Sequence, residues 1–242
     1  MINYFNYKIV VFLMGVLLLV NGGFMLLSSL ISLLFNDGFV KEITISSFIV
    51  LSTGVVFLFF GRRYEKQIQK REGYLIVTLG WILMALTGTI PYILTGTIPQ
   101  FTSSFFETMS GYTTTGATIV EKIDSLPKGI LFWRTTTHWI GGMGIIVLAI
   151  AILPFLGIGG TQLFSAEAPG PASDKLHPRI TDTAKRLWLI YLTYTIVQTV
   201  LLYIAGMTVF DALNHAMSTI STGGFSTKSE SIAFWNDKPL IQ

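Results

Sequence analysis

Met109-Ser110-Gly111-Tyr112-Thr113-Thr114-Thr115-Gly116-Ala117-Thr118 and Met217-Ser218-Thr219-Ile220-Ser221-Thr222-Gly223-Gly224-Phe225-Ser226 are one pattern written twice. A shift of 108 residues lays Met109 on Met217, Ser110 on Ser218, Thr114 on Thr222 and Gly116 on Gly224. The same shift sets Thr113 on Ser221 and Thr118 on Ser226, so hydroxyls meet hydroxyls. Each stretch follows a short apolar segment in a strongly hydrophobic chain. A repeated Thr/Ser-rich segment with a fixed glycine, inside a membrane protein, is what an ion-selectivity filter needs.

The surrounding composition sets that membrane context. Of 242 residues, 51% are hydrophobic and 12% charged, against roughly 25% charged in soluble domains. The mean hydropathy of +0.63 agrees. The chain has no cysteine, which excludes a disulfide framework and a thiolate metal site. The apolar run from Ile9 to Phe35 is too long for a cleaved signal sequence and reads as a retained first span; its Asn21-Gly22-Gly23 marks a bend or a close helix contact.

A membrane helix needs about 20 apolar residues. Four further segments approach that length: Ile43 to Phe60, Tyr74 to Leu94, Ile130 to Phe155 and Leu187 to Val209. Phe101 to Tyr112 and Phe210 to Ile220 are about half as long and read as re-entrant half-helices. Irregular backbone at membrane depth is tolerated only where it lines a wet cavity or is buried in protein, so the hydroxyl-rich segments behind these half-helices should face water.

Basic residues give the orientation. Lys8, the cluster Arg62, Arg63, Lys66, Lys70, Arg71, and Lys175, Arg179, Lys185, Arg186 fall on one side, ten of the sixteen. The positive-inside rule makes that side cytoplasmic, with the N-terminus inside and both repeated segments toward the outside.

The expected fold is an all-α polytopic membrane protein, potassium-channel-like, built from span–pore half-helix–filter strand–span repeats behind two extra N-terminal spans. Residues 1–71 hold the two extra spans and a basic loop. The first repeat occupies 72–160, with half-helix 101–112 and filter strand 113–118. A cytoplasmic loop covers 161–186, and the second repeat covers 187–242, with half-helix 210–220 and filter strand 221–226. The chain stops at Ile241-Gln242 where a closing span is expected, so the second repeat reads as incomplete and the chain as an N-terminal half or a truncated form.

A dehydrating alkali cation needs oxygen ligands in place of its water shell. Backbone carbonyls and hydroxyls supply them without a formal charge that would hold the ion too tightly. The candidate ligands are Thr113, Thr114, Thr115, Gly116 and Ala117 in the first strand and Ser221, Thr222, Gly223, Gly224 and Phe225 in the second. Glycine at 116 and 224 supplies dihedrals that aim carbonyls at an axis. Neither strand holds Asp or Glu, which argues against a carboxylate ring for divalent ions. Potassium is the expected ion, with no organic cofactor.

These two strands, together with Trp139-Ile140-Gly141-Gly142-Met143-Gly144 in the following span, resemble the Trk/Ktr/HKT superfamily of potassium uptake proteins, most closely its TrkH-like branch of membrane subunits. The resemblance implies a four-repeat pore, a homodimer in a bacterial plasma membrane, and a cytoplasmic TrkA-like nucleotide-binding regulatory subunit. No nucleic acid is implied. It leaves open a channel against coupled symport, and potassium-only against sodium-tolerant selectivity. A secondary cation transporter with broken helices and a non-conducting fragment stand as alternatives. An intramembrane hydrolase has neither a Gly-x-Ser-x-Gly elbow nor a His-Glu-x-x-His motif here, so no enzyme activity is expected.

Six further features attract other readings. His138 is expected as an interfacial hydrogen-bonding residue, Arg134 as a residue snorkelling to the interface, and His215 as a local partner of Asp211 four residues earlier. Glu107 is expected to support the filter, bonding backbone amides behind it, rather than to touch the ion. The Gly141, Gly142, Gly144 cluster is expected to admit a half-helix closely. Ala166 to Arg179 reads as a cytoplasmic connector.

Overall fold

Asn6 opens the first helix, its side chain accepting from the Ile9 amide at 3.4 Å, and α1 then runs unbroken from Tyr7–Phe35. The computed structural model describes residues 5–62, 70–152, 180–238 and 240–241, with backbone alone at 70, 145–152 and 180–184. After α1 come α2 (Val40–Gly61), α3 (Lys70–Gly88), the short α4 (Ile90–Leu94), α5 (Phe101–Tyr112), α6 (Lys128–Ile152), α7 (Ile180–Ile204) and α8 (Val209–Ile220). No β-strand occurs among the described residues, so the two segments expected as filter strands have no sheet partners. Among the described residues, four stretches are long and apolar enough to cross a membrane: Tyr7–Phe35, Val40–Gly61, Arg71–Leu94 and Lys185–Ile204.

The two N-terminal helices form a hairpin seamed by small residues. A Cβ added to Gly15 would stand 2.8 Å from the Leu58 amide nitrogen, and one added to Gly61 would stand 2.5 Å from that of Phe12. Small residues let the backbones approach where lipid gives no hydrophobic drive to pair. Gly22 serves the same contact, taking a 2.7 Å hydrogen bond from Ser47 on its carbonyl. In Asn21-Gly22-Gly23 the close contact is therefore made at Gly22, while Gly23 has open space around an added Cβ, and the helix continues through all three. Asn21 also joins the hairpin to the pore region, donating to Thr87 Oγ1 at 2.9 Å and accepting from Tyr112 Oη at 2.5 Å.

The third expected span, Tyr74 to Leu94, lies within Arg71–Leu94 and carries a one-residue turn at Thr89. α3 ends at Gly88, and Pro91, which carries no amide hydrogen, sits in the first turn of α4. The last expected span ends early. α7 stops at Ile204 with Gly206 at φ +106°; Gly206 N and Met207 N close on the carbonyls of Tyr203 and Leu202. This left-handed stop turns the chain, and Thr208 caps α8 through the Asp211 amide at 3.1 Å.

α6 is the axis of the packing. Every residue from 129 to 141 is buried, the mark of a helix enclosed on all sides. Its hydroxyls bond back into the helix, Thr135 to Leu131, Thr136 to Phe132 and Thr137 to Arg134. Trp133 Nε1 donates to the Gly88 carbonyl at 3.1 Å and Trp139 Nε1 to Thr195 Oγ1 at 3.1 Å, tying α6 to α3 and α7. Both half-helices, α5 and α8, lie against it. Each has 12 residues and spans about 18 Å, against the ~30 Å hydrocarbon core.

Candidate functional site

The two repeated segments leave their half-helices through the same turn. Thr113, Thr114 and Thr115 donate their amides to Met109, Gly111 and Ser110; Ser221, Thr222 and Gly223 donate to Met217, Thr219 and Ser218. Each bond maps onto its counterpart at the 108-residue shift. The turn needs a left-handed residue at the second of these three positions, and threonine fills it both times, Thr114 at φ +54° and Thr222 at φ +57°. A β-branched residue there is a genuine outlier; such strain persists only where the surroundings over-determine it, as at functional sites. Gly116 and Gly224 follow at φ +75° and +89°. Both segments thus share a sequence of backbone turns as well as of residues.

The segments also meet. A Cβ on Gly116 would lie 2.0 Å from the Gly223 carbonyl oxygen, so the first segment passes directly beside the second. Gly224, at the equivalent place, has nothing within 4 Å of such a Cβ. Gly223 is required for another reason: a side chain there would strike His138 Nδ1 at 2.1 Å.

The predicted ligands divide by surroundings. Thr113, Thr115, Ala117, Thr222 and Gly224 are exposed, Thr114 and Gly116 half-buried, and Ser221, Gly223 and Phe225 buried. Several hydroxyls are engaged within the chain: Thr113 Oγ1 donates to the Met109 carbonyl at 2.8 Å, Ser221 Oγ to Ser218 O at 2.9 Å, and Thr222 Oγ1 to Ser221 O at 2.7 Å. The Ala117 carbonyl accepts from Ser110 Oγ at 2.6 Å. The Phe225 side chain stacks on His138, with ring centroids 3.8 Å apart and planes 13° apart.

Behind the first segment lies Glu107, fully buried. It accepts from Thr118 Oγ1 at 2.9 and 3.0 Å and from the Ile119 amide at 3.1 Å, the supporting role expected of it. Arg134 does not snorkel. It is 1% exposed and pairs with Glu107 at 2.6 Å, because α6 enters the core beside α5 rather than running along lipid. Its Nη1 donates to the Ser226 carbonyl at 3.1 Å and its guanidinium carbon lies 3.7 Å from the centre of the Phe225 ring. His138 is not interfacial either: it is wholly buried one turn further along α6, its Nδ1 3.4 Å from Ser218 Oγ.

His215 turns away from the expected partner. Its Nε2 is hydrogen-bonded to Ser226 Oγ at 3.2 Å, while Asp211 accepts from Thr227 Oγ1 at 2.6 Å and Thr208 Oγ1 at 2.7 Å. At the 108-residue shift Glu107 falls on His215 and Thr118 on Ser226. The two repeats therefore tether half-helix to segment at the same place with different chemistry. That signal was present in the sequence, one step beyond the aligned decapeptides.

The glycine cluster of α6 admits both half-helix ends. A Cβ on Gly141 would lie 2.1 Å from the Tyr112 carbonyl oxygen, and one on Gly142 2.8 Å from Ser221 Cβ. Past the segments, Ser229 N donates to Asp124 Oδ2 and Ile123 N to Ser229 Oγ, both at 3.1 Å. The Ser229 side chain, with weaker help from its amide and from Lys228, holds the Asp124 carboxyl below the usual carboxylate range. The Ala166 to Arg179 connector lies outside the described residues.

Comparison with known proteins gives concordant results. Residues 39–242 match the family model of TrkH, described as a cation transport protein. The Trk system potassium uptake protein TrkH of Salmonella typhimurium is 44% identical over 238 residues, covering 98% of this chain and 49% of that protein. The Trk system potassium uptake protein TrkG of Escherichia coli is 42% identical over 201 residues, 79% of this chain and 41% of its own length. The crystal structure of the potassium transporter TrkH from Vibrio parahaemolyticus superposes with a TM-score of 0.82 at 41% identity, over 96% of this chain and 47% of that one. The chain spans about half the length of the curated relatives it matches. With its repeated half-helix units and its match over most of its residues, the chain belongs to the TrkH family of cation transport proteins.

Proposed function

We propose that this chain forms part of the pore of a potassium uptake system in a bacterial plasma membrane, where Thr113 to Ala117 and Ser221 to Phe225 supply backbone carbonyls and hydroxyls to a dehydrated potassium ion. The observation that carries this reading is the pair of segments with one backbone pattern, left-handed at 114 and 116 and again at 222 and 224, lying side by side at Gly116 and Gly223. Neither segment places a carboxylate on its own residues, which suits a monovalent ion. The relatives' names, all Trk system potassium uptake proteins, support the choice of potassium.

The open space at Gly224 supports a pore with more than two segments. A Cβ on Gly116 would meet the second segment; one on Gly224, of similar backbone conformation, would meet nothing within 4 Å among the described residues. Two segments supply about half of the ligands of a fourfold filter. The 242 residues reconstituted alone in vesicles are therefore expected to pass no potassium under a membrane potential. Robust selective flux from them would refute the fourfold reading. A second copy of the chain in the membrane and a TrkA-like nucleotide-binding subunit on the cytoplasmic face complete the proposed assembly.

The proposed orientation places the N-terminus and Arg62 in the cytoplasm and Lys122 outside. Since the chain has no cysteine, single cysteines at 62 and 122 report cleanly. An impermeant thiol reagent on intact cells should label position 122 and spare 62; the opposite result reverses the topology.

A further inference from the structure

We propose that Arg134 is a positioning residue for ion selectivity, a strut that sets the spacing between the two filter segments. The inference rests on the reading of those segments as a filter. Glu107 holds the far end of the first segment at Thr118 and Ile119. Arg134 holds Glu107 at 2.6 Å and, on the same guanidinium, the Ser226 carbonyl at 3.1 Å and the face of Phe225 at 3.7 Å. One buried fork on α6 therefore joins the two strand ends, Thr118 and Ser226, 108 residues apart in the chain. His138, one helical turn on, stacks on the same Phe225 ring and occupies the space that makes residue 223 a glycine. α6 thus grips the second segment at Phe225 and Ser226 while its arginine fixes the first through Glu107.

The position of the grip gives it a bearing on selectivity. Gly116 touches the Gly223 carbonyl, leaving no slack between the segments at that level. Ser226 is two residues beyond Gly224, and its hydroxyl is bonded to His215 while its carbonyl is bonded to Arg134. A change in the reach of Arg134 must shift Phe225 and Ser226 relative to the first segment, and with them the carbonyls at 223 and 224. Arginine suits this place because its planar fork serves two acceptors and a ring together; a lysine ammonium is a point charge that serves the carboxylate alone.

The test compares Arg134→Lys and Phe225→Leu with the parent in the complete, membrane-assembled transporter, normalised to assembled protein. Potassium and sodium fluxes are measured separately. Arg134→Lys keeps the ion pair and loses the second grip, and Phe225→Leu keeps apolar bulk and loses the ring. Either variant is expected to assemble with its potassium-to-sodium ratio lowered about tenfold, the effect of losing one charge-assisted hydrogen bond's worth of discrimination. A purely structural arginine would lower the amount of assembled protein and leave the ratio alone, and an unchanged ratio in assembled variants overturns the proposal. Gly116→Ser, measured beside them, separates the two levels. If it alters the ratio while Arg134→Lys and Phe225→Leu do not, the strut fails and the filter stands; if none of the three does, the filter reading itself fails.

Discussion

Replacing Gly116 with serine is expected to lower potassium-over-sodium selectivity by about tenfold or more, equivalent to about 1.4 kcal/mol of lost discrimination, and to do so in protein that still assembles. Two effects act together. Gly116 has φ +75°, a conformation costing L-residues about 1–2 kcal/mol, and its Cβ would overlap the Gly223 carbonyl oxygen at 2.0 Å. That oxygen belongs to backbone, which cannot swing aside as a flexible side chain would, so the second segment must move. Gly224→Ser meets no atom within 4 Å, and within the described residues it costs only backbone strain at φ +89°. The two glycines should therefore differ, Gly116→Ser being the more severe. Ion-replacement flux in proteoliposomes at matched protein amounts checks this, and equal, unchanged ratios for both variants would place the glycines outside the filter.

Glu107→Ala is expected to destabilise the protein by about 3–5 kcal/mol, the usual cost of removing one partner of a buried ion pair. The mutation leaves Arg134, 1% exposed, facing an apolar gap and frees the Thr118 hydroxyl and the Ile119 amide from their acceptor. Combining Glu107→Leu with Arg134→Met should restore much of that loss, since uncharged side chains of similar volume replace buried pairs at small cost. The Ser226 carbonyl and the Ile119 amide still lose their partners in the double variant, so recovery should be partial. Thermal unfolding in detergent, run as a double-mutant cycle, measures the coupling. Additive losses from the two positions would show that the pair acts as two independent side chains.

Much of the architecture was legible along the chain because it rests on local rules. The spans announced themselves through continuous apolar runs, and the half-helices through their length, which is too short to cross a bilayer. The left-handed conformation of Gly116 and Gly224 was legible because positive φ is a demand on a single residue. Where the reading missed, a local rule met a tertiary fact. Leu187 to Val209 reads as one span, yet α7 ends at Ile204 and Gly206 turns the chain three residues before Val209 opens α8. Arg134 looked like an interfacial cation because sequence gives its place near a span's start, not the neighbours that bury it.

What the sequence alone determined is therefore the repeat: two half-helices, two hydroxyl-rich segments, two glycines at one register, in a membrane chain. Helix length, hydropathy and backbone dihedral preference depend on consecutive residues, so they can be read in order. Only the tertiary structure decided that the first segment lies against the second at Gly116 and Gly223, that Glu107 is neutralised by Arg134, and that His215 takes the Glu107 position in the second repeat by bonding Ser226. Those contacts join residues 107, 27 and 11 positions apart in the chain. They exist because α6 is enclosed between the two half-helices, where a buried charge must find its partner or go unpaired, and no local property of the sequence states which partner that is.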